Sequence, residues 1–319
     1  MSFVQRRTAW RRTSAGGIGT SLAASVVAAF LALPCAAQEL EPRRWSHLPV
    51  GINFFGSGYA RTGADVAFDP VLRLENVEME MDSVPFKYIR TFELFERSAR
   101  VDVLQIYQVA RWSGLVDGVP TTTSRNGWSD LSLRFAVNLW GAPPLSGEEF
   151  AKYRADIDSE TIVGLGLVVQ FPTGHYLEDR LLNLGSNRFT FRPQLGAVHN
   201  WGKWSTEVTL ASWIFTDNDR FFNGNRLAQD PMYTIQGHVV YTFRPGLWAT
   251  AGLGYGIGAE STLNGIRKDD QRENIGWQLG LGYPITPKVG VKLDYIGFRT
   301  QTSIGANSDT LAAGLSVLY

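Results

Sequence analysis

Oxygen-bearing side chains are concentrated in one part of the sequence, the stretch from Asp217 to Asp230. Carboxylate and amide oxygens are the ligands that calcium prefers, but their order here does not have the spacing of an EF-hand loop. Calcium binding is therefore a minor alternative to a solvated polar loop. The sequence contains neither a serine nucleophile motif nor a pair of histidines with metal-ligand spacing. It predicts no catalytic residue, no metal site and no cofactor.

Cys35 is the only cysteine among the 319 residues, and it lies in an N-terminal targeting segment. This segment has four arginines near its start, continues through an apolar stretch and ends in small residues. These features are typical of a secretory signal peptide over residues 1–37, cleaved near Ala37–Gln38, and a membrane anchor is the weaker alternative. A chain cleaved there has no thiol chemistry and no disulfide. We expect residues 38–48, which are mostly polar, to form a short periplasmic lead.

The charge balance argues against nucleic acid as a partner. The whole sequence has 30 basic and 30 acidic residues, and the predicted signal peptide holds four of the basic residues and no acidic one. No surplus of lysine and arginine remains to neutralise phosphates. A mean hydropathy of −0.09 also excludes a bundle of transmembrane helices, but it is compatible with strands that are apolar on one face.

The C-terminal stretch, residues 311–319, shows which elements must position any functional side chain. Apolar residues alternate there with small or polar ones, and a period of two separates two faces only in a β-strand. The apolar set is Leu311, Ala313, Leu315, Val317 and Tyr319. An apolar outer face that ends on an aromatic residue predicts a transmembrane β-barrel that closes on its last strand. We expect the barrel-assembly machinery to recognise this strand, which ends at Tyr319.

The same alternation recurs along residues 49–319 and predicts an all-β fold, a single-chain antiparallel transmembrane β-barrel of about 12 strands. Connections are short after most even-numbered strands and longer after odd-numbered ones, as in barrels with short periplasmic turns and longer outer loops. The exception is 141–159, where the capping-box spacing of Ser146 and Glu149 predicts a short helix near 146–155. The predicted strands cover residues 49–61, 74–91, 98–112, 128–140, 160–171, 188–200, 204–215, 232–244, 247–260, 272–283, 288–300 and 311–319.

The two faces of these strands predict what lies inside the barrel. A sheet in lipid must close so that every backbone group is paired, and the polar and glycine faces then line the lumen. Glycine rows on the ninth and tenth strands either widen the lumen or admit a plug. A soluble β-sandwich is the alternative, but the signal peptide and the terminal strand argue against it. The candidate lumen-lining residues are Asp130, Arg134, Arg192, Gln194, Glu207, His238, Gln278, Lys292 and Asp294.

Three functions are compatible with such a lumen. The first is an outer-membrane channel that passively admits small solutes, with outer-membrane lipid and a small molecule as its partners. The second is a sealed structural or adhesive barrel that acts through its outer loops, and it is favoured if the lumen charges pair with one another. The third is an outer-membrane hydrolase, which would need a serine beside His238. His238 is in phase with the inner face, which argues against an enzyme that attacks membrane lipid.

The sequence also resembles an outer-membrane protein family named for the putative meta-pathway of phenol degradation. The resemblance covers nearly all of residues 49–319, and together its motifs are specific. They are Tyr88–Phe95, Ser98–Val103, Asp130–Pro143, Phe171–Gly174, Asn183–Arg188 and Gln229–Trp248. This resemblance implies a transporter-like barrel and suggests hydrophobic or aromatic solutes. It implies no catalytic residues.

Overall fold

The computed structural model describes residues 40–68 and 73–319, so the predicted signal peptide lies outside the described residues. An antiparallel barrel with twelve wall positions accounts for most of the described chain. Its strands are β1 (Asn53–Ala67), β2 (Leu74–Leu94), β3 (Arg97–Val116), β4 (Val119–Trp128), β5 (Leu131–Trp140), β6 (Ser159–Phe171), β7 (Thr190–Trp201), β8 (Trp204–Phe215), β11 (Met232–Arg244), β12 (Leu247–Gly258), β15 (Arg272–Thr286), β16 (Val289–Thr300) and β17 (Gly305–Leu318).

The last strand closes the barrel on the first, as the C-terminal alternation predicts. Residues 305–318 of β17 pair with residues 54–67 of β1, and β1 pairs with β2 on its other edge. Backbone hydrogen bonds between Asn53 and Tyr319 complete this seam. The prediction of a closed all-β barrel of about 12 strands is confirmed, because every wall strand has a neighbour on both sides except β4, which pairs only with β3.

The fourth wall position is one strand broken into two, β4 and β5. Both pair with β3, β4 along its second half and β5 along its first half. The sequence predicted a strand only over 128–140 and a long connection before it. That connection is instead a hairpin, in which β3 turns at Asp117 and Gly118 into β4. Residues 119–126 are polar on both faces, so their pattern does not reveal a strand.

The two ends of the barrel differ in the length of their connections. At the short-turn rim, two-residue turns join β2 to β3, β7 to β8, β11 to β12 and β15 to β16. The helix α1 (Gly147–Asp156) lies at this rim in the predicted position, and Ser146 is its N-cap residue without a side-chain hydrogen bond. At the opposite, long-loop rim, β9 (Asn218–Phe221), β10 (Asn225–Gln229), β13 (Ser261–Leu263) and β14 (Ile266–Arg267) form a small sheet. Among the described residues, no helix has the length and apolar character that crossing a membrane would require.

Most strands expose apolar side chains outward and bury polar ones, as predicted, but the long-loop halves of β1, β2 and β3 are reversed. There Val77, Met79, Met81 and Trp112 are buried inside, while the acidic residues that alternate with them on β2 are exposed. Leucines of the loop 172–189 pack against this inner cluster. β2 has 21 residues and β3 has 20, about twice the length that a tilted strand needs to cross a membrane. These halves therefore project beyond the lipid, where the acidic outer face of β2 meets water.

Candidate functional site in the barrel lumen

An N-terminal segment, residues 40–48, lies inside the barrel, and we call it the plug segment. Leu40, Arg44 and Trp45 within it are almost entirely buried. Leu40 packs beside the inner faces of Gly254 on β12 and Gly276 on β15. The sequence predicted residues 38–48 as a periplasmic lead, whereas the described part of this range occupies the lumen. The reason is that the inner wall supplies polar partners and open glycine faces, which a short polar segment with a tryptophan can use.

Trp45 is the most deeply buried side chain of the plug segment, with 1% of its surface exposed. Its indole lies against Gly164 of β6 and Gly196 of β7, which are paired directly across the two strands. A Cβ atom at either glycine would overlap the indole, so these positions have no room for a side chain. The indole Nε1 donates a hydrogen bond to Thr209 Oγ1 at 2.9 Å, and the Arg134 guanidinium lies 4.8 Å from the ring centre. This glycine slot holds one aromatic ring.

Glu207 on β8 anchors the backbone of the plug segment. One carboxylate oxygen accepts a hydrogen bond from the backbone N–H of Arg44 at 3.2 Å, and the other accepts from that of Trp45 at 3.5 Å. Within the segment, Glu41 pairs with Arg44 at 3.1 Å and with Lys87 of β2. Charges on the segment and on the wall therefore compensate one another, which buried charges require.

A second group of contacts holds the plug segment at the short-turn rim. His47 Nδ1 lies 2.8 Å from Glu160 Oε1, and its Nε2 lies 2.8 Å from the backbone oxygen of Pro143. Both partners of the ring are oxygen atoms that accept hydrogen bonds. Tyr153 of α1 donates to Glu160 at 2.9 Å, and Arg154 pairs with its other oxygen at 2.9 Å. Burial, together with the hydrogen bond to Glu160, raises the pKa of Tyr153 to about 12.

Seven of the nine predicted lumen residues are buried. Among them, Arg134 donates from Nε to Gln194 Oε1 at 3.0 Å. Arg134 also pairs with Asp102 of β3 at 3.4 Å. Together with Glu207, these side chains surround the plug segment near the glycine slot. Their part in solute passage stays a prediction.

Three further candidates form a polar cluster of their own on the wall. Gln278 donates to Asp294 at 2.7 Å, and Lys292 pairs with Asp294 at 3.0 Å, so these three form one polar cluster. The guanidinium of Arg192 lies 4.3 Å from the ring centre of Trp213. Most of the predicted charges thus have partners in the closed barrel. If these pairs close the lumen by themselves, the barrel is sealed even without the plug segment.

Asp130 differs from the other candidates because it lies at the break between β4 and β5. Its carboxylate accepts hydrogen bonds from the backbone N–H of Gly174 at 2.8 Å and from the backbone N–H of Ser186 at 2.8 Å. The hydroxyl of Ser186 donates a third at 2.5 Å. Asp130 therefore fixes both ends of the loop 172–189 where the wall strand is interrupted. The sequence placed it within a continuous strand, because the break itself leaves no trace in the alternation.

His238 does not form the pair that a hydrolase needs. The side chain is buried in the wall beside Gly252. Neither ring nitrogen has a hydrogen-bond partner among the described residues. General-base activation of a serine requires hydrogen-bond contact between the two side chains or through one water. The geometry therefore gives the hydrolase alternative no support.

The oxygen-rich stretch 217–230 has its carboxylates matched with arginines. Arg226 pairs with Asp217 at 2.5 Å and with Asp219 at 3.3 Å, and Arg267 pairs with Asp230 at 3.4 Å. Within residues 40–68 and 73–319, no cluster of three or more His, Cys, Asp or Glu side chains is arranged to hold a metal ion.

Two features of the site were absent from the sequence prediction. Asp102 alternates with Val101 and Val103, and the same period-two rule would have placed it in the lumen. Trp45 gave a weaker signal, a lone tryptophan in a polar segment, and only the glycines at 164 and 196 hint at what receives it. Long-range partners of this kind are set by the barrel register and not by local pattern.

Known proteins are similar to this chain in sequence family and in fold. The sequence model of the family described as "Putative MetA-pathway of phenol degradation" matches residues 48–317. The fold is similar to that of the COG4313 outer membrane channel from Pseudomonas putida F1, with a TM-score of 0.74 at 21% identity, covering 88% of this chain and 100% of that one. The transport unit of the autotransporter AIDA-I from Escherichia coli matches with a TM-score of 0.48 at 9% identity, covering 88% of this chain and 92% of that one. No curated protein sequence matches this chain.

Proposed function

We propose that this chain, which belongs to the family described as "Putative MetA-pathway of phenol degradation", is an outer-membrane channel that passively admits small hydrophobic or aromatic solutes. The observation that carries this proposal is the plug segment. It blocks the lumen, yet it is not one of the barrel strands and is held by side-chain contacts alone along most of its length. Its displacement would open a path without breaking any pairing between wall strands.

The contacts that hold the plug segment in the lumen are of a kind that a solute can replace. Glu207, Glu160 and Thr209 bind it by hydrogen bonds, each of which contributes a net free energy of about 1 kcal/mol, or about 1.5–3 kcal/mol where a charge is involved. The glycine slot accepts an aromatic ring by shape. An aromatic solute would fit the same slot once Trp45 has left, which supports aromatic compounds as a solute class.

The outer surface supports insertion into the outer membrane. Leu253, Leu279, Leu293 and Leu311 are more than half exposed and face away from the lumen. Short turns face the periplasm in barrels of this membrane. On this orientation α1 and the entry of the plug segment lie on the periplasmic side. Export by the signal peptide, cleavage near Ala37–Gln38 and insertion by the barrel-assembly machinery through the strand that ends at Tyr319 belong to the same proposal.

A sealed barrel that acts through its outer loops is the second candidate, and one observation favours it. Arg134 and Lys292 pair with acidic side chains of the wall itself, Asp102 and Asp294. A lumen sealed by these pairs would conduct no ions after the plug segment is removed. A channel would conduct them, so conductance of the plug-free barrel separates the two candidates.

Uptake by intact cells tests the proposed solute class. Cells that lack this protein should take up radiolabelled phenol severalfold more slowly than cells in which it is restored, provided that the outer membrane limits entry. Intact cells are needed because neutral aromatic compounds cross phospholipid vesicles without a channel. A labelled disaccharide serves as the control solute. Equal rates of phenol uptake in both strains would contradict the proposal.

A further inference from the structure

Glu41 is the one acidic side chain of the plug segment, and the closed barrel holds it against cations of the wall. Its carboxylate pairs with Lys87 of β2 and, within the segment, with Arg44 at 3.1 Å. Arg100 of β3 and Lys292 of β16 attract it from farther away. In the part of the chain that the structure describes, Lys87 forms no other ion pair. Withdrawal of the plug segment therefore leaves Lys87 without its acid.

Lys87 belongs to a group of wall charges in which cations outnumber acids. We call this group the cation cluster, and its members are Lys87, Arg100, Asp102 and Arg134. They lie on neighbouring strands, because β2 pairs with β3 and β3 pairs with β5. Asp102 is directly opposite Arg134 in the register, and it accepts hydrogen bonds from Arg100 at 2.8 and 2.5 Å. Three cations share one carboxylate, so the cluster is positive once the plug segment has left.

Arg134 shows that one carboxylate does not satisfy the cation cluster. Its side chain is 6% exposed, and it reaches Asp102 only at 3.4 Å. Its Nη2 is buried and has no hydrogen-bond partner among residues 40–68 and 73–319. A buried donor of a charged group is costly without an acceptor, and a bound anion would supply one.

Other acidic side chains of the lumen do not cancel this positive region. Asp294 pairs with Lys292 at 3.0 Å. Glu160 lies at the short-turn rim, where Arg154 pairs with it at 2.9 Å. Glu207 is on β8, and β5, β6 and β7 lie between it and β3. The excess of positive charge therefore stays on the part of the wall formed by β2, β3 and β5.

We infer that the cation cluster is an anion site of the open lumen, that Glu41 occupies it in the closed state, and that it selects small carboxylates as solutes. The class of ligand follows from the group now held there, because Glu41 is itself a carboxylate and guanidinium groups match carboxylates in geometry. Arg134 also lies 4.8 Å from the ring centre of Trp45, so a carboxylate with an aromatic ring can contact both the cluster and the glycine slot. This inference rests on the proposed channel function, since it names the charge of the solutes that the channel admits.

Removal of the charge of Glu41 tests whether this side chain holds the plug segment in an anion site. In planar bilayers, full-length E41Q should be open for a severalfold larger fraction of time than the wild type, because Lys87 then lacks its acid in the closed state. E148Q is the control, since Glu148 is an exposed acid of α1 and should leave the open time unchanged. An open time that is the same in E41Q and the wild type would overturn the inference.

The reversal potential of open E41Q channels tests the selectivity of the site. In a gradient of potassium benzoate, we expect benzoate to be about threefold more permeable than potassium, because a wall of one charge sign concentrates the opposite ion. K87Q added to E41Q should lower this ratio about twofold. K288Q added to E41Q is the matched control, because Lys288 is an exposed lysine in the turn between β15 and β16.

Two results would contradict this selectivity. The inference is wrong if potassium permeates E41Q as well as benzoate does, or if K87Q and K288Q change the ratio equally. Heat-modifiable migration in gels shows whether each variant is folded. If E41Q with K87Q does not fold, the sign of the reversal potential in E41Q alone decides the question.

The channel proposal and this inference fail in different ways. If phenol uptake depends on the protein but open E41Q does not prefer benzoate to potassium, the cation cluster is not a carboxylate site and the channel proposal stands. If E41Q prefers benzoate through Lys87 but phenol enters cells equally fast with and without the protein, the anion site exists and the proposal for phenol is wrong.

Discussion

Deletion of residues 40–48 is expected to raise the single-channel conductance about tenfold, because an unplugged twelve-stranded barrel lies between filled small barrels and open porins. The segment occupies the lumen with Leu40, Arg44 and Trp45 buried. The wall strands pair without it, so the barrel should close in its absence. Planar-bilayer recording of the wild type and the deletion variant measures this effect.

A variant of unchanged length controls for shortening of the chain. In it, residues 40–48 are replaced by glycine and serine, which keeps the connection to β1 but removes the contacts that the native side chains of the segment make. This variant should conduct like the deletion variant. Heat-modifiable migration in gels shows that both barrels are folded. If both folded variants conduct no better than the wild type, the lumen is sealed by its wall and the second candidate function is correct.

Substitution of Gly196 by valine is expected to expel Trp45 and to increase conductance severalfold. A Cβ atom at this position would overlap the indole, and overpacking of a filled site typically costs about 1–3 kcal/mol. The plug segment can avoid this strain by leaving, whereas the paired strands β6 and β7 cannot. The closed state should therefore lose stability relative to the open one.

Two further variants show whether the effect comes from Trp45. Gly237→Ala is the matched control, because a Cβ atom there meets only a backbone oxygen of Glu207 at 3.5 Å, an ordinary contact. Trp45→Ala removes the ring that Gly196→Val displaces, so the double variant should conduct no more than Trp45→Ala alone. Full additivity of the two substitutions would show that valine acts elsewhere in the barrel.

The strands of the barrel could be predicted because successive side chains along each strand face the lipid and the lumen in turn. Leu279 and Leu281 on β15 alternate with Gln278 and Gly280, and this period of two appears directly in the sequence. The closure of β17 on β1 followed from the same pattern. The prediction failed in strand segments that lie outside the lipid, where nothing requires the apolar side chains to face outward. The projecting half of β2 carries apolar residues inside and acidic residues outside, which reverses the rule.

The contents of the lumen could be predicted only in part. The alternation of residues along the strands placed Arg134, Glu207 and His238 inside. It could do so because the face of the sheet to which a side chain points depends only on its position along its own strand. It could not show that Trp45 reaches Gly196, since that contact joins residues 151 positions apart. Asp130 was assigned to the inside correctly, but its partners Gly174 and Ser186 depend on how the loop 172–189 folds back. Long-range contacts of this kind need the register of the closed barrel.

Block of the deletion variant by its own missing segment tests the central claim most directly, namely that residues 40–48 are a removable plug. Conductance of the deletion variant is recorded before and after a synthetic peptide of residues 40–48 is added on the short-turn side. The account predicts that the peptide restores a closed state, and that the same peptide with alanine in place of Trp45 blocks much less. If neither peptide reduces the conductance, or both reduce it equally, the glycine slot does not hold Trp45 and the account is contradicted.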